Sequence, residues 1–291
     1  MTILVFGKRG QVAQSLAAIE VLAPAPLRFL GREEVDLAEP ARCAKAIEAH
    51  GPVAVINAAA WTAVDAAEAS EAEATTINGD APGAMAEACA RQGVPFIHLS
   101  SDYVFDGSGT APWEPSSPVA PLGAYGRSKA HGERLILASG AQAIVLRTSW
   151  VFSSFGSNFV KTMLRLGAER DRLSVVDDQV GGPTCASAIA RALLTLTEAL
   201  LAGRPGGLYH FAGAPAVSWA RFAAEIFSRA GLDGVIDPIS SEAYPTPAPR
   251  PRNSRLNCDS LREDFGIPQA DWRSDLTQVL KDLTKESSRD S

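Results

Sequence analysis

Apolar residues in the first half of the chain come in short runs separated by longer amphipathic stretches. The runs at 3–6, 27–30, 53–57, 95–100 and 143–147 predict strands. Helical spacing between them predicts helices over about 11–21, 81–91 and 125–138. Strands alternating with helices imply right-handed crossovers and a parallel sheet covered on both faces. Ligands of such sheets bind beyond the carboxyl ends of the strands. The expected fold class is therefore α/β, a Rossmann-type doubly wound parallel sheet.

Beyond residue 151 the regularity weakens. Helices are expected over 158–167, 187–201 and 218–230, and strands over 173–176 and 207–211. The segment 243–255 holds Pro245, Pro247, Pro249 and Pro251 and reads as an ordered loop or a linker. The tail from Lys285, rich in serine and charge, is expected to fray. The expected division is a nucleotide-binding domain over 1–150, a smaller, partly interleaved substrate-binding lobe over 151–285, and a flexible tail over 286–291.

A chain of 291 residues can bury a substantial core without staples. With 46% hydrophobic and 21% charged residues its composition is that of a globular protein, and the net charge of −6 invites neither nucleic acid nor an anionic membrane. No apolar stretch approaches the roughly 18 residues of a membrane span, and the apolar start is too short for a secretion signal. Cys43, Cys89, Cys185 and Cys258 lie far apart and the four histidines are dispersed, so free thiols in a reducing cytoplasm are expected, and no metal site.

Gly7-Lys8-Arg9-Gly10-Gln11-Val12-Ala13 falls between the first strand and the first helix. Gly7 permits a tight turn, Gly10 lets the backbone approach a pyrophosphate, and Ala13 allows close helix packing. The free N–H groups of the helix start would hold the anion. Glycine turns after strands are common, so the spacing gains weight only from its place at the first strand. Folds that prefer NAD usually carry an acid at the end of the second strand, whereas this chain reads Leu30-Gly31-Arg32. Arg32, assisted by Arg9, could pair with the 2′-phosphate of NADP; it could equally be a solvated arginine beside a turn. NADPH is the favoured cofactor, with NADH not excluded.

Tyr125 and Lys129 stand at i and i+4 on one helix face. An ammonium near a phenol lowers the tyrosine pKa and would fit it to donate and recover a proton near neutrality. Such a pair alone is as well read as a surface contact. The segment Ser100-Ser101-Asp102-Tyr103 changes the reading, because it puts hydroxyls at the end of the fourth strand beside that helix. Serine, tyrosine and lysine around a carbonyl, with nicotinamide on its other face, suffice for hydride transfer to a ketone.

With these residues on the page, the chain resembles the extended short-chain dehydrogenase/reductases, and among them the dTDP-4-dehydrorhamnose reductase family. The similarity runs nearly end to end. It rests on segments 6–12 and 100–107, on Asn57-Ala58-Ala59-Ala60 with Thr62-Ala63-Val64-Asp65, and on Tyr125 to Lys129. Arg147-Thr148-Ser149-Trp150-Val151-Phe152, Asn158-Phe159, segments 179–184 and 207–210, and Arg250-Pro251 with Asn253-Ser254 complete it. The resemblance implies reduction of a dTDP-4-keto sugar by NADPH. Tyr125 would protonate the alkoxide, Lys129 would tune Tyr125 and bind the nicotinamide ribose, and Ser101 would hydrogen-bond the carbonyl region. Asp102 would position the sugar, while Val64 and Trp150 would line its pocket with Tyr103, Asn158 and Arg250. Gly7, Gly10, Gln11, Val12, Asp36, Leu37, Ala58, Ala59, Ala60 and Thr62 would contact the cofactor. Without the resemblance, Trp150 reads as a core aromatic and Asp102 as a turn cap.

Some members of that family dimerise through a magnesium ion held by glutamates, one of them on the first helix. Ser15 stands at the matching position here, and serine is a poor magnesium ligand. Magnesium is therefore doubted, and a monomer or a metal-independent homodimer is expected. Two other readings stay open: a non-catalytic NADP-binding subunit resembling the regulatory subunit of methionine adenosyltransferase, and a nucleotide-sugar epimerase or dehydratase.

Overall fold

The structure, a computed structural model, describes the backbone of residues 1–287 and the side chains of residues 1–285. In chain order the first half runs β1 (Ile3–Phe6), α1 (Gln11–Ala18), β2 (Leu27–Leu30), α2 (Pro40–His50), β3 (Ala54–Asn57), α3 (Val64–Ala69), α4 (Glu71–Thr75), α5 (Ala81–Gln92), β4 (Phe96–Ser101), α6 (Ala124–Ala138) and β5 (Ala143–Thr148). The second half continues with β6 (Val151–Phe152), α7 (Phe159–Glu169), β7 (Arg172–Val176), β8 (Val180–Gly181), β9 (Thr184–Cys185), α8 (Ala186–Leu201) and β10 (Gly207–His210). It ends with β11 (Val217–Ser218), α9 (Trp219–Ala230), β12 (Val235–Ile239), β13 (Asn253–Ser254), α10 (Asp259–Phe265) and α11 (Trp272–Ser287).

Six parallel strands form the main sheet in the order β10-β5-β4-β3-β1-β2. Its strands are apolar on both faces because alternate residues feed two different cores. Ile3, Val5, Ile56, Ile97, Ile144 and Leu146 face the core that contains α8. Leu4, Phe6, Val55, Phe96 and Val145 face the other, with Ile47 of α2 and Met85 of α5. The first core runs on without a break into Phe222 and Trp272 of the later helices. Outside the main sheet lie three small ones: β11-β8-β13, the parallel pair β7 and β12, and the parallel pair β6 and β9.

Several helix ends are set by local chemistry. Pro40 opens α2 and Gly51 closes it in the left-handed region. Asn158 and Ser218 cap α7 and α9 by accepting from Lys161 N and Arg221 N. No helix among the described residues is long and apolar enough to cross a membrane.

The structure corrects four expectations. The first helix stops at Ala18, and the apolar Val21 and Leu22 lie exposed in a short 3-10 turn. The spacing 95–100 is a strand shifted to Phe96–Ser101, which brings Ser101 itself into the sheet. The proline-rich segment is a loop that ends in β13, whose Asn253 and Ser254 pair with Val180 and Gly181. The segment from Lys285, expected as tail, begins inside α11, which runs through Ser287, and residues 288–291 lie outside the described residues. That helix is held by Leu276 and Val279, both buried, and by Leu280 and Leu283 packed against the first core.

Candidate active site

The chain winds from β1 outward to β2, then returns past β1 to β3, β4, β5 and finally β10. The crossover helices diverge where that direction reverses, leaving a crevice at the carboxyl ends of β1 and β3. A cavity of about 860 Å³ opens there. One end is lined by Gly7, Arg9, Gly10, Gln11, Val12 and Arg32, with Ala58, Ala59, Ala60 and Thr62 facing them. The other holds Val64, Ser101, Asp102, Tyr103, Tyr125, Lys129, Trp150 and Asn158.

Gly7 adopts φ +110°, and a Cβ there would stand 3.3 Å from Ala58 C and Ala59 N. The turn therefore needs glycine for both its conformation and its close approach to the end of β3. No side chain caps α1 at Gly10, so the N–H groups of the first turn remain available to an anion. Gln11 faces the opposite wall: its Oε1 accepts from Ser153 Oγ at 2.8 Å and from Asn158 Nδ2 at 3.0 Å. The Asn158 amide also donates to Ser153 O and caps α7. Asn158 thus lines the cavity while its amide ties the phosphate loop to the second half of the chain.

At the end of β2, Arg32 is exposed and donates from Nε to Asp36 at 2.9 Å. Glu33 lies beside Gly31 within the cavity wall, 3.9 Å from Lys8 Nζ and 4.0 Å from Arg9 Nη2. Asp36 and Leu37 do not line the cavity. The Asp36 carboxylate accepts from Ala38 N, which holds its pKa below the usual range, and Leu37 is buried in the second core. The sequence reading assigned no ligand contact to Lys8, Gly31 or Glu33. Lys8 could have been found from its place between Gly7 and Gly10; Glu33 reaches the wall only by the turn after β2.

Ser101, Asp102, Tyr125 and Lys129 come together at the ends of β4 and α6. Ser101 Oγ donates to Asp102 Oδ1 at 2.9 Å and also pairs with the Tyr125 hydroxyl. Burial pushes Tyr125 up to about 12, and pairing with Ser101 only partly offsets this. Lys129 does not supply the expected lowering. Its Nζ is turned away, donating to Leu99 O at 2.6 Å and lying 3.1 Å from His98 Nε2. The i, i+4 spacing puts both residues on one face of α6, but burial outweighs a charge pointed elsewhere. Tyr125 is accordingly a protonated phenol at neutral pH. Burial also brings Lys129 down to about 8 and raises Asp102 to about 6. Asp102 Oδ2 is buried and has no partner among the described residues, so a donor on a ligand would satisfy it.

Trp150 carries a positive φ of 48°, a strained conformation for so bulky a residue. Trp219, at the start of α9, stacks on it with ring centroids 3.6 Å apart and 10° between planes. Phe159 backs Trp219 at 4.5 Å. Trp219 was absent from the sequence reading, since nothing in its surroundings along the chain marks it. Arg250 does not reach the cavity wall. It pairs with Asp65 at 2.8 Å and bonds the Tyr103 hydroxyl, and the Tyr103 ring meets Tyr125 edge-on at 5.4 Å. Ser15 is buried in α1, which packs against α8. Among the described residues no three His, Cys, Asp or Glu side chains converge as metal ligands would.

Comparison with known proteins places this geometry. Residues 1–285 match the family model described as RmlD substrate binding domain. A dTDP-4-dehydrorhamnose reductase of Burkholderia thailandensis is 42% identical, over 98% of this chain and 100% of its own. The crystal structure of a dTDP-4-dehydrorhamnose reductase from Clostridium acetobutylicum superposes with a TM-score of 0.92 at 33% identity, covering 98% of this chain and 100% of that one. A dTDP-4-dehydrorhamnose reductase from Bacillus anthracis, solved in complex with NADP, gives 0.88 at 31% identity, with 97% and 99% covered.

The raised Asp102 pKa has a consequence for stability. The folded value of about 6 exceeds the ordinary 3.8, so the group's contribution is whole below about pH 4 and is lost as pH rises through 6. Asp102→Asn should therefore be more stable than the parent at pH 7.5, by roughly 1–3 kcal/mol, while losing affinity for substrate. Urea denaturation of both proteins at pH 5 and 7.5 checks this. A variant less stable at both values would show that the carboxylate stabilises the fold.

Proposed function

Since the chain belongs to the dTDP-4-dehydrorhamnose reductase family, we propose that it reduces dTDP-4-dehydro-β-L-rhamnose to dTDP-β-L-rhamnose. The cofactor proposed is NADPH, which when bound supplies the hydride. The observation that carries the reading is the single cavity, which has an uncapped helix start at one end and the Ser101, Asp102 and Tyr125 group at the other. The residues fit the cofactor: Gly7 and the bare first turn of α1 suit a pyrophosphate, and Lys8, Arg9 and Arg32 ring the loop.

Tyr125 is the proton donor in this reading. Burial keeps its hydroxyl loaded, so negative charge developing on the sugar C4 oxygen is what draws the proton. Ser101 lies between Tyr125 and Asp102 and can turn its hydroxyl toward the carbonyl oxygen. The free Oδ2 of Asp102 accepts a sugar hydroxyl, and Trp150, braced by Trp219, forms an apolar wall for the sugar ring. Residues beyond 150 act as the substrate lobe, although α8 and β10 belong to the main sheet and its core. Preference for NADPH follows from the three cations. Glu33 opposes it only weakly, because its contacts with Lys8 and Arg9 are long and exposed.

Tyr125→Phe should fold and bind NADPH within about threefold of the parent, and lose 10²-fold or more in kcat. Single-turnover rates with separate cofactor titrations measure both; a kcat near that of the parent would sink the donor assignment. Arg32→Ala should weaken NADPH about tenfold, roughly 1.4 kcal/mol, and leave NADH nearly unchanged. Equal losses for the two cofactors in fluorescence titration would mean that Arg32 does not meet the 2′-phosphate.

A further inference from the structure

His98 is fully buried in β4 and does not line the cavity, yet it touches a residue that does. Its Nε2 lies 3.1 Å from Lys129 Nζ, and its Nδ1 lies 3.1 Å from Asn57 Nδ2. Burial, with the neighbouring Lys129 charge, pushes His98 far below its ordinary value, so the ring is neutral. A neutral imidazole donates from one nitrogen and accepts at the other. Both neighbours would ordinarily be donors.

The Asn57 amide is not free to turn and resolve this. Its Oδ1 accepts from Ala59 N at 3.1 Å, and a backbone N–H can only donate. Nδ2 therefore faces the ring, Nδ1 accepts, and the ring proton falls on Nε2, aimed at Lys129 Nζ. An amine can accept that proton in a hydrogen bond and an ammonium cannot. The remaining contact of Nζ, to Leu99 O, suits either form.

We propose that Asn57, His98 and Lys129 form one proton-coupled unit: the His98 ring proton sits on Nε2 when Lys129 is an amine and on Nδ1 when Lys129 is an ammonium. Asn57 and His98 are then positioning residues that set where Lys129 titrates. Across the transition the unit releases one proton to bulk water. Lys129 goes from three N–H bonds to two, and the ring keeps one proton on its other nitrogen. Forming the ammonium breaks either the Asn57–His98 bond or the Asn57–Ala59 bond, which favours the amine. Burial of Lys129 acts in the same direction.

The charges around α6 do not override this. Glu133, one turn beyond Lys129, favours the ammonium, but it is held by Arg147 of β5 and Ser100 of β4. Asp102 accepts from Ser101 through Oδ1 on the far side of Tyr125, and Tyr103 and Tyr125 are neutral. Of the acids on neighbouring elements, Glu68 accepts from Ala124 N, Glu71 pairs with Arg127, and Asp80 with His131.

Only the consequence for turnover rests on the proposed function; the coupling itself can be read without substrate. The test is ¹⁵N–¹H correlation of the histidine rings in the intact protein from pH 6 to 10, with His98→Gln used to assign the signal. The two His98 nitrogens should exchange roles in a single transition near pH 8, and Lys129→Met should abolish it. Asn57→Asp, whose carboxylate accepts from Nδ1–H, should move the midpoint up by about one unit, a tenfold change in proton affinity. A His98 that keeps one tautomer throughout would overturn the proposal, as would a transition that survives Lys129→Met or is unmoved in Asn57→Asp. Loss of reductase activity alone would bear on the substrate assignment, not on this coupling.

Discussion

A carboxylate buried away from water is tolerated only where its partners are held in place, and the buried Glu133 meets that condition beneath the site. It accepts from Arg147 Nε at 2.8 Å, from Arg147 Nη2 at 2.6 Å and from Ser100 Oγ at 2.5 Å. Arg147 in turn donates to Pro115 O and lies over the Phe105 ring. Removing one partner of so buried a pair typically costs about 3–5 kcal/mol. The pair locks the register of α6 against the carboxyl ends of β4 and β5. Because Lys129 lies one turn and Tyr125 two turns back along the same helix, their height above the sheet follows from it. Gly126 makes the close approach possible, since a Cβ there would fall 2.1 Å from Tyr103 O.

What that arrangement produces is a cavity whose two ends work by different physics. The end at the first glycine turn is mostly backbone: that turn, an uncapped helix start and three small residues after β3. It can hold a pyrophosphate with little side-chain cost. The Tyr125 end is built from side chains with perturbed protonation, and burial is the dominant cause for Asp102, Tyr125 and Lys129 alike. The ends are joined by the Gln11, Ser153 and Asn158 bonds, so the glycine turn and the Tyr125 end share a wall. Trp150 pays for its left-handed backbone with the stack on Trp219, which fixes the indole face toward the pocket.

The main sheet was legible in the sequence because its strands are continuous apolar runs bounded by glycine and polar turns. All five early strands fall within a residue or so of their expected positions. Helices α3 and α4 were missed because alanine and acidic residues dominate them, and α2 was missed with them. In α2 only Cys43 and Ile47 are buried, too few to print a period. The two-residue strands β6, β8, β9, β11 and β13 exist only through tertiary pairing, and no local pattern could announce them. Ser101, Asp102, Tyr125 and Lys129 each sit in a short recognisable segment, and the structure brings the four to one cavity. Their protonation was not legible, since it depends on burial and on which way Lys129 turns. Arg250, Asp36 and Leu37 were expected at ligands and do not line the cavity; Arg250 pairs with Asp65, while its Nη1 has no partner among the described residues.

The central claim is that this cavity carries out one net hydride transfer to a keto sugar. The most direct measurement follows NADPH absorbance at 340 nm (a general property of the reduced nicotinamide) with dTDP-4-dehydro-β-L-rhamnose generated in place, and quantifies the sugar product. The account predicts one NADPH oxidised for each dTDP-β-L-rhamnose formed. Sugar conversion without net NADPH consumption would point to an epimerase or dehydratase, and cofactor binding without any conversion would point to a binding subunit. Either result would contradict the account.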